Sequence, residues 1–285
     1  MAEQASAAQR PYVLAGVMGW PVAHSRSPLI HGHWIATLGL RGAYIQLPVR
    51  PDDLADALRS LPKLGFAGCN LTIPHKVAAL AIVDRVEPLA QRIGAVNTVV
   101  VESDGSLTGR NTDAYGFLQS LREAQPGWRA QAGPALVVGA GGAARAVVAA
   151  LLDAGVPEIR LCNRSLDKAQ ALAHDFGPQV QVLAWDHRTQ ALADIALLVN
   201  TTNQGMHGQS ALDLALDGLA PHAVVSDIVY VPRLTPLLAQ ALARGNPVVY
   251  GLGMLIHQAR PAFEAWFGVL PEASPALLDA VQATL

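Results

Sequence analysis

The sequence is poor in several residue types. Of 285 residues only two are cysteine, Cys69 and Cys162, far apart in apolar, strand-like contexts. No disulfide framework or zinc-ligand spacing is possible with them. Two free core thiols in a reducing compartment are expected. Aromatic residues make up 5%, too few for the stacking platforms that hold single-stranded nucleic acid. Charged residues make up 15%, with Lys plus Arg 20 against Asp plus Glu 22 and a net charge of -2. That balance excludes a nucleic-acid binder working through a basic face. No long uninterrupted apolar run exists: the most apolar segment, Pro134 to Leu152, contains Arg145 and several glycines. It is not a membrane span. The first ten residues lack a basic region followed by an apolar stretch, so no secretory leader is expected. No metal is expected either. His31 and His33 lie two apart on a predicted helix and point to different faces. Together these absences predict a soluble, cytoplasmic protein.

Apolar residues, by contrast, make up 51% of the chain. That is enough for real cores, and the length fits two domains. Short apolar runs alternate with helical patterns throughout, which predicts an α/β protein with parallel strands. Strands are expected near 13–18, 44–48, 68–73 and 95–101, and again near 135–138, 159–162, 180–183, 195–200, 223–227 and 247–250. Helices are expected near 28–38, 51–61, 76–83, 88–93, 113–123, 253–267 and 275–284. The clearest break in pattern is Gln125-Pro-Gly-Trp-Arg-Ala-Gln-Ala-Gly-Pro134. A hinge is expected there or at the start of the Asp113 helix, with a ligand cleft between the two domains.

The strongest local motif is Ala135-Leu-Val-Val-Gly139-Ala140-Gly141-Gly142-Ala143-Ala144-Arg145. An apolar strand runs into Gly139, Gly141 and Ala144, and an apolar helix follows. This is the dinucleotide-binding glycine pattern in its strand–turn–helix setting. Gly139 permits the tight turn, Gly141 lets a pyrophosphate approach the backbone, and Ala144 lets the helix pack closely. Free N–H groups at the helix start hold the anion. The next strand ends Cys162-Asn163-Arg164-Ser165-Leu-Asp-Lys168. An NAD site usually has a carboxylate here for the ribose 2′-hydroxyl. Its absence removes repulsion against a 2′-phosphate, and Arg164 offers that phosphate a planar donor fork. NADP is therefore expected over NAD.

The first half must supply the chemistry. The chain has three lysines, Lys63, Lys76 and Lys168. Lys76 follows Asn70-Leu-Thr72-Ile-Pro74-His75, so a strand delivers Asn70 and Thr72 on one side and then breaks at Pro74. Lys76 is expected at a helix start, where the helix dipole disfavours a cation. Asn97-Thr98 and Asn111-Thr112-Asp113 put small polar residues at strand ends. His24-Ser25-Arg26-Ser27-Pro28 enters a helix with two hydroxyls, a setting that suits a carboxylate ligand. Ser27 also reads as an N-cap with proline at the first helical position.

Taken together the set resembles the shikimate dehydrogenase family. The matching pieces are His24-Ser25-Arg26-Ser27-Pro28, Asn70 to Lys76, Ala95-Val-Asn97-Thr98, Asn111-Thr112-Asp113, Gly139 to Arg145, Asn163-Arg164-Ser165 and Gly251-Leu-Gly-Met-Leu-Ile-His-Gln258. They occur in the family's order and cover about residues 13 to 270. The resemblance implies an N-terminal α/β substrate-binding domain, residues 1–112 plus 251–285, and a Rossmann-type NADP-binding domain, residues 113–250. It implies NADP-linked interconversion of 3-dehydroshikimate and shikimate. Lys76 and Asp113 are implied as the catalytic pair, and Ser25 and Ser27 as holders of the substrate carboxylate. Asn70, Thr72, Asn97, Tyr230 and Gln258 are implied at the substrate. Gly139, Ala140, Gly141, Gly142, Ala143, Asn163, Arg164, Ser165, Lys168 and Gly251 are implied at the cofactor. A monomer or homodimer is expected.

Two positions depart from the family pattern. His75 stands where some relatives have phenylalanine. Lys168 stands where an NADP-specific relative has a second arginine, which loosens the 2′-phosphate clamp. A quinate/shikimate dehydrogenase with NAD or dual cofactor use is the alternative. An aminated shikimate-like substrate and a non-catalytic NADP-sensing protein are the further ones.

Overall fold

The computed structural model describes residues 11–285; the segment read for a leader lies outside them. The chain divides into two compact units, one formed by the chain through Thr112 with Gln258–Thr284, the other by Asp113–His257. The helix that begins at Gly251 crosses this division.

The first unit carries β1 (Val13–Gly19), α1 (Ser27–Thr37), β2 (Gly42–Pro48), α2 (Leu54–Ser60), β3 (Phe66–Leu71), β4 (Arg85–Val86), α3 (Pro88–Ile93), β5 (Thr98–Val101) and β6 (Leu107–Arg110). Its sheet runs β2-β1-β3-β5-β6-β4. The expectation of parallel strands fails here. β1 pairs parallel with β2 and β3, but β5 runs antiparallel to both β3 and β6. The β5–β6 reversal is local: Asp104-Gly105 makes a tight hairpin, with Gly105 at φ +82 and the Ser106 N–H donating to Asp104 Oδ1. Only a residue free of Cβ sits easily there. A core of Leu54, Leu58, Leu61, Cys69, Leu71, Val96, Val99 and Leu107 fills one side of the sheet.

The second unit carries α4 (Asp113–Ala124), β7 (Ala135–Val138), α5 (Gly142–Ala154), β8 (Ile159–Cys162), α6 (Leu166–Phe176), β9 (Val180–Leu183), β10 (Leu197–Asn200), β11 (Val224–Asp227), α7 (Pro236–Ala243) and β12 (Val248–Val249). Then α8 (Gly251–Phe267) and α9 (Pro275–Gln282) follow. The second sheet is wholly parallel, in the order β12-β11-β10-β7-β8-β9. Its central strands read Ala-Leu-Val-Val and Leu-Leu-Val-Asn and are buried on both faces, as covered parallel strands must be. α5 buries Ala144 and Ala146 to Leu151 and stops at Gly155, which takes the left-handed conformation. Chain order reverses between β7 and β10, and such a switch point opens a crevice at the strand ends. Both thiols are buried, as expected.

The expected helix over 76–83 does not form. A turn carries Lys76, and only a short 3-10 turn, Ala78–Ala81, follows. Lys76 is therefore not at an α-helix start, and the dipole argument does not apply to it. Among the described residues no helix is long and apolar enough to cross a membrane.

Candidate active site

The glycine turn forms because β7 delivers Gly139 at φ +116, a backbone region that costs side chains dearly. A Cβ on Gly139 would also run into the Thr201 hydroxyl, which is fixed by donating to the Val138 carbonyl at 2.7 Å. Gly141 is extended (φ -89, ψ -172), and a Cβ built there meets nothing within 4 Å. Its bareness serves no packing need, so the backbone there is open to a partner. A cavity of about 220 Å³ opens above the turn. Gly139, Ala140 and Gly141 floor it, and Asn163 and Arg164 stand beyond β8. Trp185 and the loop Thr201 to Gln204 complete its walls.

Five of the cofactor candidates thus share one cavity. Gly142 and Ala143 are the first residues of α5, and Ser165 precedes α6 without a side-chain cap bond. Lys168 is exposed on α6. Gly251 lies where α8 meets the loop after β11: a Cβ there would approach the Ile228 and Val229 backbone to 2.5 Å. Trp185 and Thr201 to Gln204 were missed. The polar run Asn200-Thr-Thr-Asn203 after an apolar strand was the available signal, because ligands sit at the carboxyl ends of parallel strands. The donor set fits NADP. Open backbone flanks the helix start, Arg164 is exposed beside the cavity, and position 163 carries an amide instead of an acid.

The first unit gathers a different set. Tyr44 donates its hydroxyl to Asn70 Oδ1 at 2.7 Å. Asn70 Nδ2 donates to the Asn97 carbonyl and to Thr98 Oγ1, both at 3.1 Å. Thr98 Oγ1 donates to Asn97 Oδ1 at 3.0 Å, and Asn97 Nδ2 donates to Thr112 Oγ1 at 3.0 Å and to Gln258 Oε1 at 3.4 Å. Asn70, Asn97 and Gln258 are therefore joined in one largely buried network. Such a network holds polar side chains in fixed orientations because each freed group would cost desolvation. Thr72 follows β3, half-buried, its N–H bonded to the Met18 carbonyl.

Ser25 and Ser27 stand together, but Ser27 is not the N-cap that was expected. The helix begins at Ser27 itself, after Arg26, and the Ser27 N–H donates to Ser25 Oγ at 3.3 Å. The preceding residue turns helical early (Arg26 φ -88, ψ -5), so Ser27 is inside the first turn and cannot cap it. Gln46 Nε2 donates to the Ala23 and Ser25 carbonyls and fixes this loop to β2. Lys76 is half-buried, and its carbonyl accepts from the Val96 N–H at 2.8 Å. His75 is buried against the Val49 carbonyl at 2.8 Å, a structural place. Asp113 and Tyr230 belong to the second unit. Asp113 opens α4, buried, where the helix dipole favours a carboxylate. Among the described residues no group of three or more His, Cys, Asp or Glu could hold a metal ion.

A parallel sheet with a switch point, a glycine turn and a cation beyond the second strand define a dinucleotide-binding α/β protein. Three family models match along the chain: shikimate dehydrogenase substrate binding domain over residues 17–99, shikimate / quinate 5-dehydrogenase over 123–210, and shikimate 5'-dehydrogenase C-terminal domain over 251–276. A shikimate dehydrogenase (NADP(+)) of Paramagnetospirillum magneticum is 61% identical over 264 residues, 93% of this chain and 96% of that one. The solved shikimate 5-dehydrogenase of Thermus thermophilus, in complex with NADP(H) and shikimate, superimposes with TM-score 0.86 at 41% identity, covering 96% of this chain and 100% of that one. The quinate dehydrogenase of Corynebacterium glutamicum, in complex with NAD, superimposes with TM-score 0.89 at 32% identity, covering 95% and 99%. The chain belongs to the shikimate dehydrogenase family.

Proposed function

We propose that this protein catalyses the reversible NADPH-dependent reduction of 3-dehydroshikimate to shikimate. The observation that carries the reading is the pairing, on one chain of this family, of two features. One is a cofactor cavity with Arg164 where an NAD site has an acid. The other is the Tyr44–Asn70–Asn97–Gln258 network beside the Ser25–Ser27 turn.

Bound NADPH supplies the hydride that reaches C3 of the ketone. Lys76 gives the proton to the C3 oxygen in reduction and takes it back in oxidation, help that is typically worth ~10²–10⁴-fold. Asp113 orients the amine. Ser25 and Ser27 bind the ring carboxylate; Asn70, Thr72, Asn97, Tyr230 and Gln258 bind the hydroxyls or assist at the carboxylate. Gly139 to Ala143 take the pyrophosphate, Asn163 to Ser165 with Lys168 take the ribose phosphate, and Gly251 borders the nicotinamide end. Residues 1–112 plus 251–285 serve the substrate and 113–250 the cofactor. The enzyme is cytoplasmic, a monomer or homodimer; two buried thiols suit a reducing compartment.

The test follows the ultraviolet absorbance of reduced nicotinamide in four mixtures: shikimate or quinate, each with NADP or NAD. Turnover with shikimate and NADP alone is the expected result. Comparable rates with NAD or quinate support a broader-specificity enzyme, and silence in all four overturns the reading.

A further inference from the structure

Asp227 ends β11 and is 1% exposed. A lone buried carboxylate is costly, and burial raises its pKa above the ordinary range. Three donors from three segments converge on it. Oδ1 accepts from Asn200 Nδ2 and from the Val229 N–H, both at 3.0 Å. Oδ2 accepts from Thr235 Oγ1 at 2.7 Å, and Thr235 in turn caps α7 by accepting from the Leu238 N–H.

Each arm leads somewhere useful. Asn200 ends β10, and its Oδ1 accepts from both the N–H and the hydroxyl of Thr202. Its Nδ2 also donates to the Gln204 carbonyl at 3.1 Å. That arm sets the cofactor-cavity wall, which Thr201 to Gln204 form. The other two arms bracket residues 228–235, the loop that carries Tyr230. Gly251 presses the same loop from the other side, with no room for a Cβ against Ile228 and Val229.

We infer that Asp227 is a positioning residue for the proposed reaction. From one buried point it fixes both the cofactor-cavity wall and the Tyr230 loop, while touching neither ligand. The substrate half of this inference rests on the reading of Tyr230 as a substrate contact.

Donor accounting separates the variants. In Asp227→Asn the amide oxygen must face the two N–H donors, because neither can reverse. The new NH2 then faces Thr235, whose hydroxyl rotates to accept, so all three contacts survive. Asp227→Ala cuts all three, whereas Thr235→Val cuts the Thr235 contact and its cap on α7 and leaves the Asn200 and Val229 contacts in place.

Transition temperature, NADP Kd by calorimetry, and kcat and KM for shikimate are measured on these variants and on Tyr230→Phe, well below each transition. Asp227→Ala is expected to weaken NADP about tenfold and to lower kcat/KM for shikimate by at least as much, the scale of lost buried hydrogen bonds. Asp227→Asn recovers most of both. Thr235→Val lowers kcat/KM while NADP Kd stays at the wild-type value. If Asp227→Ala lowers only the transition temperature, the residue is a structural tie and the inference falls. If Asp227→Ala does not fold, wild-type kcat/KM in Thr235→Val together with a wild-type NADP Kd in Asn200→Ala, which cuts the arm to the cavity wall, overturns it instead. An unchanged Tyr230→Phe removes the reading of Tyr230 and leaves the NADP result as the test of Asp227.

Discussion

The imidazole of His31 lies flat on the ring of Tyr44, with centroids 3.9 Å apart and planes within 3°. Trp34, Phe263 and Trp266 surround the imidazole, and neither ring nitrogen has a hydrogen-bond partner among the described residues. The phenol it supports donates to Asn70, so an uncharged histidine backs the tyrosine that holds a candidate substrate residue.

Burial lowers the His31 pKa from 6.5 to about 3. Between those values the unfolded chain takes up a proton that the native state refuses, so stability falls as pH falls. This one residue contributes a slope of up to ~1.4 kcal/mol per pH unit. The contribution is fully present above 6.5 and is lost on acidification toward 3. Thermal transitions of wild type and His31→Phe across this range should diverge, the variant being flatter; parallel curves would refute the effect.

Tyr44→Phe leaves Asn70 Oδ1 buried without its donor. A loss of about 1–3 kcal/mol in denaturant unfolding is expected, together with a raised KM for shikimate. A variant as stable as wild type would show that Asn70 finds another partner.

Gly139→Ala and Gly141→Ala should separate folding from binding. The first places a Cβ at φ +116 and against Thr201, and should destabilise the empty protein by roughly 1–3 kcal/mol. The second meets nothing and should leave the unfolding transition in place. It should still weaken NADP, because the added methyl stands where the pyrophosphate approaches. Calorimetry and thermal unfolding on both variants distinguish the two cases.

Arg164→Ala should weaken NADP by about 1.5–3 kcal/mol, the worth of charge-assisted hydrogen bonds, with little change for NAD. Equal losses for both cofactors would place the 2′-phosphate contact elsewhere.

Lys76→Ala should lower kcat by ~10²-fold or more while shikimate still binds. Near-normal turnover would remove Lys76 from the proton transfer.

The second unit was legible in the sequence because its short, mostly apolar strands alternate with helical patterns and its glycine turn sits between an apolar strand and an apolar helix. The first sheet was less so. Its antiparallel β5–β6 pair follows from the Asp104-Gly105 hairpin, a local signal that the alternation of strands and helices masks, while the antiparallel β3–β5 pair has no such local signal. Lys76 was located in sequence but not in structure: Val77 to Val83 has an apolar pattern, yet the segment closes into a short 3-10 turn. The N-cap expected at Ser27 failed because Arg26 becomes helical one residue early. Asp227, Asn200 and Thr235 could not be joined from sequence at all, since parallel pairing of β10 with β11 brings the first two together.

Cys69 and Cys162 carry a practical consequence. Burial pushes the Cys69 thiol far up and Cys162 to about 11, so neither presents a thiolate to oxidants or alkylating agents at neutral pH. Each belongs to the core of a different unit. The pair makes an internal clock: iodoacetamide labels each thiol only as fast as its own unit opens, and peptide mapping reads the two opening rates from one unmodified chain.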